Sequence, residues 1–227
     1  MRVIKDKNLL KHYISKNNLN NLFDENVLST SELWYFEKNE SILKEGNELK
    51  NYFYLVEGEI QTSYAFDNGK TMPLKIYKEF QPLGDIELIK NIPILANVDA
   101  IESSYFIVFP INIIKKEYEN NIKFTKHFSE ILSEKIFSVI KNSSHNYIYP
   151  LQNRLASFII QQSKNNYVEI KTFKLVAQAL GTTYRHLHRV LKEFEKDNLI
   201  ICEKKLIKIL DKEKLNEKVK IHYIKSF

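Results

Sequence analysis

The stretch that most constrains the fold is TFKLVAQALGTTYRHLHRVLKEFE, residues 172–195, because it reads as two short helices joined by one tight turn. In the first helix Phe173, Val176, Ala177 and Leu180 fall at i, i+3, i+4 and i+7 and make one apolar stripe. Gly181 suits the left-handed position that ends a helix. Thr183 stands where an N-cap belongs, ahead of a second stripe of Leu187, Val190, Leu191 and Phe194. Two helices with such stripes must pack on each other. The spacing leaves Tyr184, Arg185, His188, Arg189 and Lys192 outward on the second helix, a face of cations and hydrogen-bonding rings. A helix presenting that face fits the DNA major groove, where an arginine can donate two parallel bonds to guanine O6 and N7. Tyr184, Arg185, His188 and Arg189 are therefore the candidate base readers. Taken alone, the pattern suits a helical hairpin with a solvated basic face nearly as well.

The residues after this pair of helices shift the balance toward DNA. Two β-rich runs, Leu199–Ile201 and Leu206–Leu210, are joined by Cys202-Glu203-Lys204-Lys205, a hairpin with a basic tip. A helix-turn-helix succeeded by such a hairpin is the winged form of the motif. Of the net charge of +6, residues 164–227 carry +7 and the rest −1, so the positive field belongs to one end. Lys171, Lys174, Thr183, Lys192, Lys204, Lys205 and Lys208 are candidate phosphate contacts, which add affinity and salt dependence rather than sequence choice.

Ahead of this end, residues 1–28 read as one or two short polar helices. From Glu32 to Pro110 the pattern changes to short β-branched and aromatic runs, LWYF, YFYLVE, IQTSYAF, MPLKIY and YFIVFP. Asp67-Asn68-Gly69-Lys70 and Glu57-Gly58-Glu59 are hairpin turn signals between them. Gly46, Gly58, Gly69 and Gly84 all lie between such runs, which predicts an antiparallel double-layered jelly roll. From Asn121 to about Asn142 a helical spacing returns in Phe124, Phe128, Ile131, Leu132, Ile136 and Val139. The polar break Ser143-Ser144-His145-Asn146 is expected to act as a hinge, and Tyr149-Pro150 opens a helix over residues 151–163 packed through Leu155, Ile159 and Ile160. The predicted fold is α+β, with a β-roll over residues 1–120, a long helix and hinge over 121–145, and a winged helix-turn-helix over 146–227.

Residues 172–210 resemble the DNA-binding end of the Crp-Fnr family of bacterial transcription regulators, and the order of elements from about residue 20 to residue 215 matches that family. The resemblance implies a β-roll sensor domain, a homodimer through residues 121–142, a palindromic operator in double-stranded DNA, and contact with RNA polymerase. The family's mid-helix arginine is kept as Arg189. Many members have a glutamate where Arg185 stands, so the usual operator is not implied.

The effector pocket implied by the resemblance is Leu83-Gly84-Asp85-Ile86-Glu87-Leu88 with Ile94-Leu95-Ala96. Cyclic-nucleotide-binding members show glycine-glutamate and then arginine-serine there; this chain has Asp85 and Leu95-Ala96. A phosphate buried against leucine without a paired cation costs several kcal/mol. Counting back from Arg154, the residues that would reach adenine are Val139 and Ile140, which offer no hydrogen bond. Cyclic AMP is not the expected effector, leaving a small apolar or weakly polar ligand, or none, around Gly84, Asp85, Ile86, Glu87, Leu95, Ala96 and Val139.

Other cofactors are weighed by inventory. One cysteine, Cys202, cannot hold an iron–sulfur cluster. Haem is not expected, since no histidine lies between His12 and His127, no cysteine precedes Cys202, and Met72 alone is a poor anchor. The rival reading is a cupin-like barrel that binds a ligand or a metal, its C-terminal helices serving protein–protein contacts. It meets a barrel segment without histidine, and His186 and His188 lie two apart on different helix faces. With no glycine-rich phosphate loop or G-x-S-x-G elbow, an enzyme is not expected. No apolar run approaches the ~20 residues that span a bilayer, the start is too polar for a signal peptide, and a cytoplasmic, non-membrane protein is the expectation.

Overall fold

The computed structural model describes residues 1–65, 71–78, 80–170 and 172–219. The chain divides into two compact units, residues 1–133 and residues from 134 onward.

The first unit opens with β1 (Arg2–Ile4), α1 (Lys7–Lys16), a single 3-10 turn (Leu19–Asn21) and α2 (Glu25–Ser29). Next come β2 (Glu32–Phe36), β3 (Ser41–Leu43), β4 (Asn51–Glu57), β5 (Ile60–Ala65), β6 (Thr71–Tyr77), β7 (Gln81–Leu83), α3 (Asp85–Lys90), β8 (Asn97–Ala100), β9 (Ser104–Pro110), α4 (Ile111–Asn120) and the start of α5 (Ile122–Ile148). A five-stranded sheet of order β1-β2-β9-β4-β7 and a four-stranded sheet of order β3-β8-β5-β6 are each antiparallel throughout the described pairs. They share one apolar cluster, to which Phe53, Leu55, Phe106 and Val108 come from the first sheet and Leu43, Ile60 and Val98 from the second.

Period-2 alternation makes β4 two-faced. Phe53 and Leu55 point between the sheets, whereas Tyr52, Tyr54 and Val56 join Phe23, Phe109, Phe124 and Phe128 in a second cluster under the helices. Coverage on both faces explains why YFYLV and YFIVF are continuous apolar runs rather than alternating ones. Between the sheets the space is filled by rings, with Phe53 and Phe36 edge-on to Phe106 at 6.0 and 5.5 Å.

Four strands escaped the sequence reading. β1, β3, β7 and β8 have three or four residues each, too few to show a period, and the polar start of the chain contributes β1 by pairing Val3 with Trp34. Glu57-Gly58-Glu59 is not a hairpin turn: β4 pairs with β7 and β9, β5 with β6 and β8, so Gly58 carries the chain from one sheet to the other. Its φ of 105° and the Ser103 carbonyl, 2.5 Å from where a Cβ would sit, leave room for glycine alone. The Asp67-Asn68-Gly69-Lys70 turn lies outside the described residues.

The second unit holds the end of α5, then α6 (Leu151–Gln162), β10 (Tyr167–Glu169), α7 (Phe173–Ala179), α8 (Tyr184–Lys196), β11 (Ile200–Glu203), β12 (Leu206–Ile209) and α9 (Lys212–Glu217). Its core joins Leu155 and Ile159 of α6 to Leu187, Val190, Leu191 and Phe194 of α8 and Ile200, Ile207 and Ile209 of the small sheet β10-β12-β11. The hinge expected at Ser143–Asn146 is not there. α5 runs unbroken to Ile148, and the chain bends at Tyr149-Pro150, where the ring of Pro150 disfavours helix in the residue before it. Hydroxyl residues do not end this helix, as Ser129 and Ser133 show by donating to the carbonyls four residues back, at 2.8 Å each. Among the described residues no helix is long and apolar enough to cross a membrane.

Along α5 the apolar stripe loses its cover. Phe124 and Phe128 are buried, Ile131 and Leu132 half-buried, and Ile136, Phe137, Val139 and Ile140 are 58–62% exposed, with Tyr147 at 93%.

Candidate nucleic-acid interface

Local sequence builds the motif as its residue types require. Thr172 caps α7 by accepting from Leu175 N at 3.3 Å. The helix closes on Gly181 at φ 57°, with Gly181 N donating to Gln178 O and Thr182 N to Ala177 O, both at 2.8 Å, the paired pattern of a glycine-terminated helix. Thr183 then caps α8, its hydroxyl accepting from His186 N at 3.2 Å. Leu187, Val190, Leu191 and Phe194 are buried.

On the opposite side Thr183, Tyr184, Arg185, His186, His188, Arg189 and Lys192 line a shallow concave surface. Tyr184, Arg185, Arg189 and Lys192 are exposed, as predicted. His188 is not: it is half-buried, with its ring 5.0 Å from Phe173 and 4.3 Å from Tyr184, and its Nε2 is buried without a hydrogen-bond partner among the described residues. The exposed imidazole is instead His186, whose Nδ1 is 3.3 Å from Thr182 Oγ1 and whose Nε2 is 2.9 Å from Arg189 Nη2. Arg189 Nε lies 3.9 Å from Glu193 Oε1, one turn along. Sequence reasoning passed over His186; the signal was its i, i+3 spacing from Arg189.

Lys204 and Lys205 form the two-residue turn of the wing, Lys204 at φ 49°. Cys202 and Glu203, expected in the loop, extend β11 instead, since each pairs with a residue of β12. The third strand, β10, was too short to foresee. Lys174 and Lys208 are exposed, the latter with Nζ 5.9 Å from the centre of the Tyr167 ring. Lys171 lies outside the described residues. The Cys202 thiol is pushed up to about 12 by burial and then by the Glu195 carboxylate, which accepts from Cys202 N at 2.8 Å.

Arg154, read only as a marker of position, holds the motif in place. Only 7% exposed, it donates from Nε to Tyr149 O at 2.9 Å and from Nη1 to Asn146 Oδ1 at 3.1 Å and to Leu180 O. One guanidinium thus satisfies carbonyls at the end of α7 and at the turn between α5 and α6.

The candidate effector residues are held by local contacts. Gly84, at φ 94°, precedes α3; Asp85 is buried; Glu87 Oε1 accepts from Leu95 N at 3.0 Å; Ile86 and Leu95 are exposed, and Ala96 is half-buried. Val139 belongs to the second unit and is exposed. Burial, and then the charge of Asp85, push the Tyr77 phenol up to about 12. The same carboxylate contributes to raising Tyr52 and Tyr54, both well above the usual tyrosine range chiefly through burial. Among the described residues no three of His, Cys, Asp and Glu are grouped to hold a metal ion.

An antiparallel double sheet, a long helix and a winged helix-turn-helix in this order define a Crp-like regulator, and the chain belongs to the Crp-Fnr family of transcription regulators. Residues 33–121 match the cyclic nucleotide-binding domain and residues 153–218 the Crp-like helix-turn-helix domain. The regulatory protein YeiL of Escherichia coli O157:H7 is 28% identical over 203 residues, covering 89% of this chain and 92% of that one. Electron transport regulator A of Shewanella oneidensis is 26% identical over 196 residues, covering 79% and 75%. A crystal structure of a crp/fnr-family transcriptional regulator from Eubacterium rectale superposes with a TM-score of 0.72 at 18% identity, covering 91% of this chain and 98% of that one.

Proposed function

We infer that this regulator binds operator DNA in the cytoplasm as a homodimer, each α8 entering a major groove at half-sites about 34–36 Å apart, so that the operator is an inverted repeat. The observation that carries the inference is the exposed row Tyr184, Arg185, Arg189 and Lys192 on a helix whose other face is wholly buried. Tyr184, Arg185 and Arg189 read bases, with His188 acting through the Tyr184 ring it packs against. Lys174, Lys192, Lys204 and Lys205 contact phosphates, while Thr183 adds the free N–H groups of the helix start that its cap leaves open. The uncovered stripe of α5 is the dimer contact, because apolar side chains exposed in a continuous row on one helix are stabilised by a like row. RNA polymerase is the partner through which promoter output changes, and no catalytic step is assigned to the chain.

The β-roll works without iron–sulfur cluster, haem or cyclic AMP. At the start of α3 the side chain of Asp85 is buried and helps to raise the phenols of Tyr52, Tyr54 and Tyr77, and Glu87 Oε1 accepts from Leu95 N. A cyclic phosphate there would meet the side chain of Asp85 and, at residues 95 and 96, those of Leu95 and Ala96, neither of which donates a hydrogen bond. Whatever the roll senses acts by favouring one placement of the two reading heads over another.

The test is selection of bound oligonucleotides followed by affinities on the preferred duplex and on random duplex. Arg189→Ala is expected to cost about 1–3 kcal/mol on the preferred site and to relax choice at one base pair. Lys205→Ala is expected to weaken all duplexes alike and to reduce the slope of log affinity against log salt by about one contact's worth, close to 0.9 per protomer. Equal losses on specific and random DNA for Arg189→Ala would remove the base-reading role of α8.

A further inference from the structure

The guanidinium group donates and never accepts. In the contact between Arg189 Nη2 and His186 Nε2 the imidazole nitrogen must therefore be the acceptor, so His186 is neutral there with its proton on Nδ1, which then donates to Thr182 Oγ1. Glu193 Oε1 lies 3.9 Å from the neighbouring Nε of the same arginine, an ion-pair rather than a hydrogen-bond distance, and Glu193 Oε2 accepts from Gln152 Nε2 at 2.9 Å. Nε and Nη2 lie on one edge of the planar group. With Nη2 engaged by His186 and Nε facing a carboxylate, the Nη1 hydrogens and the remaining Nη2 hydrogen are left to meet a guanine edge, which accepts a pair of parallel donors.

We propose that His186 is a positioning residue for base recognition: as a neutral acceptor it holds Nη2 of Arg189, so that the remaining guanidinium donors are presented to DNA and base choice at that position depends on an imidazole that touches no base. The chain Thr182–His186–Arg189–Glu193 runs from the turn of the motif to the last turn of α8, which ties the arginine's aim to the turn that precedes it. A long, mostly exposed side chain loses rotamer freedom when it binds, and one already restrained loses less. The restraint acts on discrimination, where geometry decides, and leaves phosphate attraction unchanged.

The inference rests on Arg189 reading a base, and the experiment separates the two. Affinities of the full-length protein are measured on the preferred duplex, on duplexes changed at single base pairs and on random duplex, for the unchanged chain and for Arg189→Ala, His186→Ala, His186→Gln and Thr182→Val. His186→Ala is expected to lower discrimination about five- to tenfold at the base pair whose choice Arg189→Ala relaxes, with random-duplex affinity and salt slope unchanged. His186→Gln, whose amide oxygen accepts from Nη2, is expected to restore most of it, and Thr182→Val to lose about two- to threefold. Nitrogen chemical shifts of His186 in the free protein are expected to show protonated Nδ1 and bare Nε2. If Arg189→Ala relaxes one base pair and His186→Ala leaves it untouched, the positioning role is overturned. Equal losses on specific and random duplex for His186→Ala would overturn it too, by making His186 a phosphate contact, as would a proton on Nε2. If Arg189→Ala itself changes no base preference, the base-reading role falls first, and the positioning role with it.

Discussion

An Ile140→Glu chain is expected to sediment as a monomer and to bind a full operator at least about a hundredfold more weakly than the unchanged protein, while its affinity for a single half-site stays the same. Ile140 stands on α5 beside Ile136 and Phe137, one turn earlier, and Val139, all more than half exposed. In the proposed dimer these side chains pack against their copies, and a glutamate at residue 140 would bring two carboxylates into an apolar contact from which water is excluded. Neither has a counter-charge there, so each must be desolvated or protonated, at a cost of several kcal/mol. Separating the protomers removes the linkage between reading heads, and that linkage alone raises affinity by about 10² to 10⁴ without any new contact to DNA. Sedimentation and band-shift titrations on full and half operators check both halves of the expectation. A variant that stayed dimeric would place the interface elsewhere than α5.

Phe194→Ala is expected to destabilise the second unit by about 3–5 kcal/mol, the range for emptying a large aromatic side chain from a packed core. Phe194 is 1% exposed and is the last residue of the buried stripe of α8. Its carbonyl accepts from Leu199 N at 2.9 Å where the chain turns into the wing, and Lys218 Nζ lies 5.8 Å from the ring centre. Small domains hold only about 5–15 kcal/mol in total. A loss of this size should lower the unfolding midpoint by roughly 12 °C or more, read by calorimetry or circular dichroism. It should also weaken specific and random DNA alike, because the whole reading head is less populated. That separates it from Arg189→Ala, whose stability should be unchanged because its side chain is exposed.

The two histidines of α8, one exposed and one half-buried, show where sequence reasoning reaches its limit. Helical spacing assigned His188 to the outward row and set His186 aside. In the fold Phe173 of α7 reaches His188 and covers it together with Tyr184, which leaves His186 exposed beside Arg189. A helical wheel gives the direction of a side chain but not what the neighbouring helix brings to meet it. The polar tetrad Ser143–Asn146 failed as a hinge for a related reason: serine and asparagine permit a helix to end without requiring it, whereas Pro150 does constrain the residue before it.

Much else came from local rules. Gly181 and Thr183 delimit the two helices of the motif because only particular residues satisfy a left-handed backbone or a set of open N–H groups. β4 and β9 announced themselves by continuous β-branched and aromatic runs, whereas β1, β3, β7 and β8 are too short to carry any periodic signal and exist because neighbouring strands offer them hydrogen-bonding partners. What the amino-acid order determined unaided was the set of amphipathic segments, their caps and the sign of the charge at each end, all properties of residues within one or two turns of each other. Only the tertiary structure decided that Gly58 joins two sheets rather than two neighbours, that Arg154 binds the carbonyl of Leu180, and that His186 rather than His188 stands beside Arg189. Each of these depends on atoms brought together from separate elements, and contacts of that kind are settled by packing, which no local pattern records.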